Sequence, residues 1–172
     1  QYLHIGISKE AGAFLLIEVD GDVEQVGKEI KRIQSICSHN QALEIRVAQT
    51  DAEQAELWRM RRSVSASLTH LRPIKRVNED IVVPRSEIPD MVHALEEIGR
   101  QTDQLIVNFG HAGDGNIHVN VLTLEGREDN SEKAVQAIFD KTVELGGRIS
   151  GEHGIGISKR SYIQKNISPE LV

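Results

Sequence analysis

Two glycine-rich stretches hold the residues of this chain best suited to chemistry. The first reads Asn108-Phe109-Gly110-His111-Ala112-Gly113-Asp114-Gly115-Asn116-Ile117-His118-Val119-Asn120. Taken as a hairpin, it ends one strand at His111, turns through Gly113-Asp114-Gly115 and starts the partner strand near Ile117. Pairing across a hairpin brings two such positions together. His118 and Asn120, two residues apart, share one sheet face. Two imidazoles at that spacing suit Zn²⁺ or another borderline divalent ion. A single strand histidine is more often just a hydrogen-bonded side chain. The pair, with glycines clearing space above it, shifts the reading towards ligands.

The second stretch is Ser150-Gly151-Glu152-His153-Gly154-Ile155-Gly156. Packing gives no reason to set a carboxylate beside an imidazole in so sharply turned a segment. Glu152 could complete a two-histidine, one-carboxylate site with an open position, the catalytic rather than the structural pattern. His153 could then serve as general base. The competing reading is a glycine-rich surface loop with incidental polar residues. Gly154 and Gly156 begin like a dinucleotide loop, but Lys159 stands at the third glycine position. No Walker pattern, nucleophile elbow or paired-cysteine motif occurs, and Asp20 and Asp22 beside Gly21 lack calcium-loop spacing.

The elements that must carry these residues follow from periodicity. From residue 77 the pattern predicts strand 77–83, stopped by Pro84, and a helix capped by Ser86 with Ile88, Met91, Val92, Leu95 and Ile98 on its stripe. Strand 105–109, strand 117–124, helix 129–145 stopped by Gly146-Gly147, and a short strand at 148–150 come next. That β-α-β-β-α-β order is the ferredoxin-like arrangement, an antiparallel sheet with helices on one face. The first half adds further βα units. Strands are expected at 12–19 and 42–48. One helix is capped by Asp22 with Val23, Val26, Ile30 and Ile33 on one face. Another is capped by Thr50 or Asp51 and runs to about His70. The fold class is therefore α+β, a single domain over residues 1–172. In a plain ferredoxin-like path the hairpin tip and the end of the last strand lie at opposite sheet ends. Glu152 reaches the histidines only if that strand is short and its loop folds back.

Composition narrows the function. The 172 residues carry a formal net charge of −6, which argues against a nucleic-acid partner. Residues 59–85 nevertheless hold seven cations against two anions. By charge alone that island is a solvated surface, but it could serve a small anionic substrate. The single cysteine, Cys37, permits no internal disulfide and fits a reducing compartment. The longest apolar run, residues 13–17, is far too short for a membrane span. A start at Gln1 and an end at Ser168-Pro169-Glu170-Leu171-Val172 without a closing element read as cuts in a longer polypeptide.

GHAGDGNIHVN followed by SGEHGIGISK closely resembles the C-terminal domain of FAD-linked oxidases of the vanillyl-alcohol oxidase superfamily. The nearest branch holds glycolate oxidase flavoprotein subunits, D-lactate dehydrogenases and D-2-hydroxyglutarate dehydrogenases. The resemblance extends to Trp58-Arg59-Met60-Arg61 and Asn78-Glu79-Asp80-Ile81-Val82-Val83-Pro84, and so covers most of the chain. It implies His111, His118 and Glu152 as ligands of a divalent metal, zinc or similar. It implies His153 as the base that removes the substrate hydroxyl proton and Asn120 as a polar contact. It implies Arg61 as the carboxylate-binding arginine, with Ser65 where some relatives carry threonine. Some relatives use a lysine near the strand before Pro84. The aligned position here is Asn78, with Lys75 three residues earlier, so both are candidates for the substrate's far end.

The implied function is oxidation of a small 2-hydroxyacid by FAD held on an N-terminal domain of the same polypeptide. Electron-accepting subunits are implied partners, in the cytoplasm or at the membrane periphery. The fragment alone is expected neither to bind FAD tightly nor to turn over substrate. Two other classes use the same residues. One is a metal-dependent hydrolase, which would need no flavin. The other is a non-catalytic ferredoxin-like ligand-binding module, which would tolerate loss of His111 and His153.

Overall fold

The computed structural model describes residue 8, residues 10–157 and residues 159–165. The expected lack of a closing element at 168–172 falls outside them. The chain divides into two compact units, Gln1–His70 and Leu71–Val172.

In the first unit α1 (Val23–His39) starts where the Asp22 side chain accepts the N–H of Gln25, satisfying one orphan donor of the helix end. Val26, Ile30 and Ile33 are half-buried as the periodicity requires, but Val23 is 91% exposed. α2 (Asp51–Ser67) opens with a reciprocal capping box between Thr50 and Glu53. It passes into a 3₁₀ turn at Leu68–Leu71, just ahead of Pro73. The strands expected at 12–19 and 42–48 do not form; both segments are irregular chain outside any ladder. Alternation supplies only propensity, and a strand also needs a neighbour for its N–H and C=O groups. No described residue forms a strand ladder with either segment, and Leu15 and Leu43 stay 67% and 66% exposed.

The second unit runs β1 (Lys75–Val82), α3 (Ile88–Thr102), β2 (Leu105–His111), β3 (Asn116–Thr123) and α4 (Ser131–Glu144), then a 3₁₀ turn at Arg160–Lys165. The sheet is antiparallel in the order β1-β3-β2. The strand expected at 148–150 is reduced to one bridge, Arg148 against Val82, on the free side of β1. The α+β, ferredoxin-like class holds, with its fourth strand cut to that bridge. Ser86 does not cap α3. A 3₁₀ turn at Arg85–Glu87 leads into the helix, Glu87 takes the cap position, and Ser86 Oγ donates to Glu87 instead.

One sheet face forms the core. Ile81, Ile117, Val119 and Val121 pack with Met91, Leu95 and Ile98 of α3 and with Ala134, Val135, Ile138 and Phe139 of α4. Strand alternation then sends Asn78 and Asp80, His118 and Asn120, and Phe109 and His111 to the opposite face. Among the described residues no helix is long and apolar enough to cross a membrane.

Phe139 is fully buried at the centre of this core. Phe139→Ala should lower the unfolding free energy by about 3–5 kcal/mol. Val23→Ala, at an exposed position, should change it by under ~0.5 kcal/mol. Urea denaturation measures both, and similar losses would contradict the placement of the core.

Candidate functional site

The hairpin at 111–118 forms as its glycines demand. The N–H groups of Asp114 and Gly115 donate to the His111 carbonyl at 3.3 and 3.1 Å, and Asp114 Oδ1 accepts the N–H of Asn116 at 3.0 Å. Gly115 has φ +81°, and a Cβ there would lie 2.0 Å from the Val83 carbonyl oxygen, so only glycine fits. The turn sets the ring of His111 edge-on to that of His118, centroids 5.6 Å apart. Phe109, the cross-strand partner of His118, lies against it at 5.5 Å.

The second stretch arrives over the free edge of β1. A longer last strand would carry its end away from the hairpin. Pairing instead stops at Arg148, whose partner Val82 lies opposite Asn116, at the hairpin end. The N–H groups of Gly151, Glu152 and His153 then all donate to one atom, Oδ2 of Asp80, at 2.8 Å for Gly151 and 2.9 Å for His153. Gly151 permits this approach: a Cβ there would lie 2.8 Å from Asn116 Oδ1 and 2.9 Å from Val82 Cγ2.

The folded-back loop completes the cluster. Glu152 Oε1 lies 3.2 Å from His118 Nε2. His111, His118 and Glu152 each offer a ligand atom within 4.8 Å of the others. The His153 ring stacks on His118 at 5.3 Å between centroids. Its Nε2 is 3.9 Å from Glu152 Oε1, and its Nδ1 is 3.6 Å from Asp80 Oδ1.

Two buried charges underlie this loop. Asp80 is fully buried, and Lys159 is 2% exposed. Lys159 Nζ pairs with Asp80 Oδ1, donates to the Asp80 carbonyl at 3.0 Å and lies 3.4 Å from Glu79 Oε2. Burial alone would raise the Asp80 pKa. The Lys159 hydrogen bond and the N–H groups of His153 and Glu152 outweigh it and hold the carboxyl well below the usual carboxylate range. Glu79 goes the other way, raised by burial that Lys159 offsets only in part. Burial also pushes His118 below the ordinary imidazole value, against the opposing charge of Glu152. That favours the neutral ring a metal ligand must present. Two imidazoles and a carboxylate converging in this way fit a borderline divalent ion.

The remaining expected residues divide. Asn120 lies on the site face, fully buried. Its Oδ1 accepts from Arg76 Nε and Nη2 at 3.0 and 2.8 Å, and its Nδ2 donates to the Val107 carbonyl at 3.4 Å. Asn78, its cross-strand partner, is exposed on the same face. Lys75 sits at the far end of β1 from the hairpin and pairs with Asp129 at 2.8 Å, so it is not brought to the histidines. Arg61 and Ser65 lie on α2 in the first unit. Sequence reasoning gave Asp80, Lys159 and Arg76 no role at the site. Two adjacent carboxylates, Glu79 and Asp80, running straight into Ile81-Val82-Val83 within one predicted strand are a signal that could have flagged Asp80, because at least one of them must face the interior and such a group is buried only when paired.

Comparison with known proteins matches residues 1–172 to the family of FAD linked oxidases, C-terminal domain. The chain is 42% identical over 172 residues to "Glycolate oxidase subunit GlcD" of Bacillus subtilis (strain 168), covering 98% of this chain and 36% of that protein. It is 31% identical over 165 residues to "D-lactate dehydrogenase" of Anaerostipes hadrus, covering 93% of this chain and 34% of that protein. It is 31% identical over 130 residues to "D-2-hydroxyglutarate dehydrogenase" of Stutzerimonas stutzeri (strain A1501), covering 72% and 27% respectively. The chain thus spans about a third of the length of the curated relatives it matches.

The close approach at Gly151 can be checked by substitution. Gly151→Ala should cost about 1–3 kcal/mol, because the added methyl overlaps Asn116 and Val82. Gly113→Ala, with nothing within 4 Å of its Cβ position, should stay within ~0.5 kcal/mol. Equal tolerance at both positions in chemical denaturation would show that the loop does not sit against the sheet edge.

Proposed function

The chain belongs to the C-terminal domain family of FAD linked oxidases, and on that premise we propose that it is the substrate- and metal-binding part of a flavoprotein that oxidises a 2-hydroxyacid to the 2-oxoacid. The FAD-binding domain belongs, on this reading, to another part of the same polypeptide. Glycolate, D-lactate and D-2-hydroxyglutarate, named for its relatives, all carry an alcohol next to a carboxylate. The observation that carries the proposal is the meeting of His111, His118 and Glu152 beside His153.

A divalent ion, with zinc the first candidate, would supply Lewis acidity that lowers the pKa of the substrate hydroxyl. FAD would supply the acceptor for the hydride from C2. The protein's own part is placement and proton transfer. His111, His118 and Glu152 hold the ion. His153, whose Nε2 faces the Glu152 side of the site, takes the hydroxyl proton. Asn120, fully buried, acts behind the site: its Oδ1 accepts both hydrogen bonds from Arg76 and so holds that guanidinium on the site face.

The test is a panel of 2-hydroxyacids assayed on the full polypeptide with an artificial electron acceptor, alongside elemental analysis of the purified protein. His153→Ala should lower kcat by roughly 10²-fold or more with the bound flavin unchanged. His118→Ala should abolish near-stoichiometric divalent metal. The reading fails if no 2-hydroxyacid reduces the flavin, or if the wild-type protein carries and takes up no divalent metal.

A further inference from the structure

We propose that Asp80, locked in place by Lys159, is the positioning residue of this site, with a carboxylate that shapes the loop presenting Glu152 and His153. This deepens the function proposed above and rests on it. Asp80 touches neither the substrate nor the candidate ligand atoms; it acts through the backbone and through His153.

Three observations converge on it. First, Oδ2 accepts the N–H groups of three successive residues, Gly151, Glu152 and His153. Three bonds to one atom fix the backbone at the point where the two functional side chains leave it. The segment from 151 to 156 contains three glycines and has little stiffness of its own. Second, Oδ1 lies 3.6 Å from His153 Nδ1. An anion on that side of the ring leaves Nε2 to face the cluster, the role a carboxylate commonly plays behind a working imidazole. Third, Lys159 stands where a fourth strand would otherwise complete the edge of β1. Val82 exchanges both backbone bonds with Arg148, and the next outward carbonyl, that of Asp80, accepts from Lys159 Nζ at 3.0 Å. Strand pairing has been given up at that position in favour of a charged pair. A buried ion pair is a weak stabiliser compared with apolar residues of the same shape. The gain from this one is the loop geometry.

The test uses the full polypeptide, stripped of metal and titrated with Co²⁺, whose visible absorption reports ligand geometry. Asp80→Glu keeps the charge and its partner but moves the three N–H groups by one methylene. The double variant Asp80→Asn with Lys159→Gln removes both buried charges together, so that neither is left unpaired. Glu79→Gln alters a buried carboxylate beside Lys159 that lies on the core face, and serves as the control for a merely structural role.

The expected result is a 10- to 100-fold weaker Co²⁺ affinity in the folded Asp80 variants. Their cobalt spectrum should change, and kcat should fall more than KM rises. Glu79→Gln should lose thermal stability with its Co²⁺ affinity and spectrum intact. Asp80 variants that fold and bind Co²⁺ with wild-type affinity, spectrum and kcat would overturn this inference and leave the proposed function standing. A wild-type protein that takes up no Co²⁺ would overturn both.

Discussion

A carboxylate withdrawn from water must find enough hydrogen-bond donors to stay charged, and at Asp80 most of those donors come from the loop that carries the chemistry. The remaining partner is Lys159, itself buried, so each charge is held inside by the other. Breaking such a pair by removing one member costs on the order of 3–5 kcal/mol, because the survivor is left uncompensated. The position of Glu152 and His153 is therefore tied to the folding of the sheet. The loop cannot drift from the edge of β1 without leaving that carboxylate short of donors.

The three-stranded sheet keeps its two faces chemically separate. One buries Ile81, Ile117, Val119 and Val121 under α3 and α4, and the other carries histidine, asparagine and carboxylate side chains. Strand alternation makes this possible: rigidity gained on the apolar side reaches the polar side through the same backbone. His118 sits between Ile117 and Val119, both in the core, so its ring starts from a fixed point. Glu152 has no such strand beneath it, which is why its placement depends on hydrogen bonds to a side chain.

The sequence was most readable where a local pattern and its tertiary environment agree. The hairpin was visible in its glycines and its paired histidines. α1 and α3 were visible in their apolar stripes, α4 in the Gly146-Gly147 that stops it, and the starts of α1 and α2 in the capping chemistry of Asp22 and Thr50. Reading failed at 12–19 and 42–48, where β-type alternation has no strand-ladder partner among the described residues. It failed also at Ser86, where a 3₁₀ turn displaced the expected cap by one residue. The candidate ligands were legible because their residue types are unusual between glycines. The pairing of Asp80 with Lys159, 79 residues apart, was not: a carboxylate inside a strand shows that a partner is needed, but nothing local says which charge it meets after folding. The way Glu152 reaches the histidines could be posed as a geometric condition, a short last strand with a folded-back loop. Only the coordinates show how the chain meets that condition.

The truncated fourth strand has a consequence outside the site. A bare strand edge is a template on which another chain can add itself, and proteins commonly block such edges with a charged side chain. Beyond the bridge at Val82, the outward carbonyl of Asp80 is occupied by the amine of Lys159. The lysine that pairs with the Asp80 carboxylate thus also takes the hydrogen bond that an incoming strand would need next along this border of the sheet.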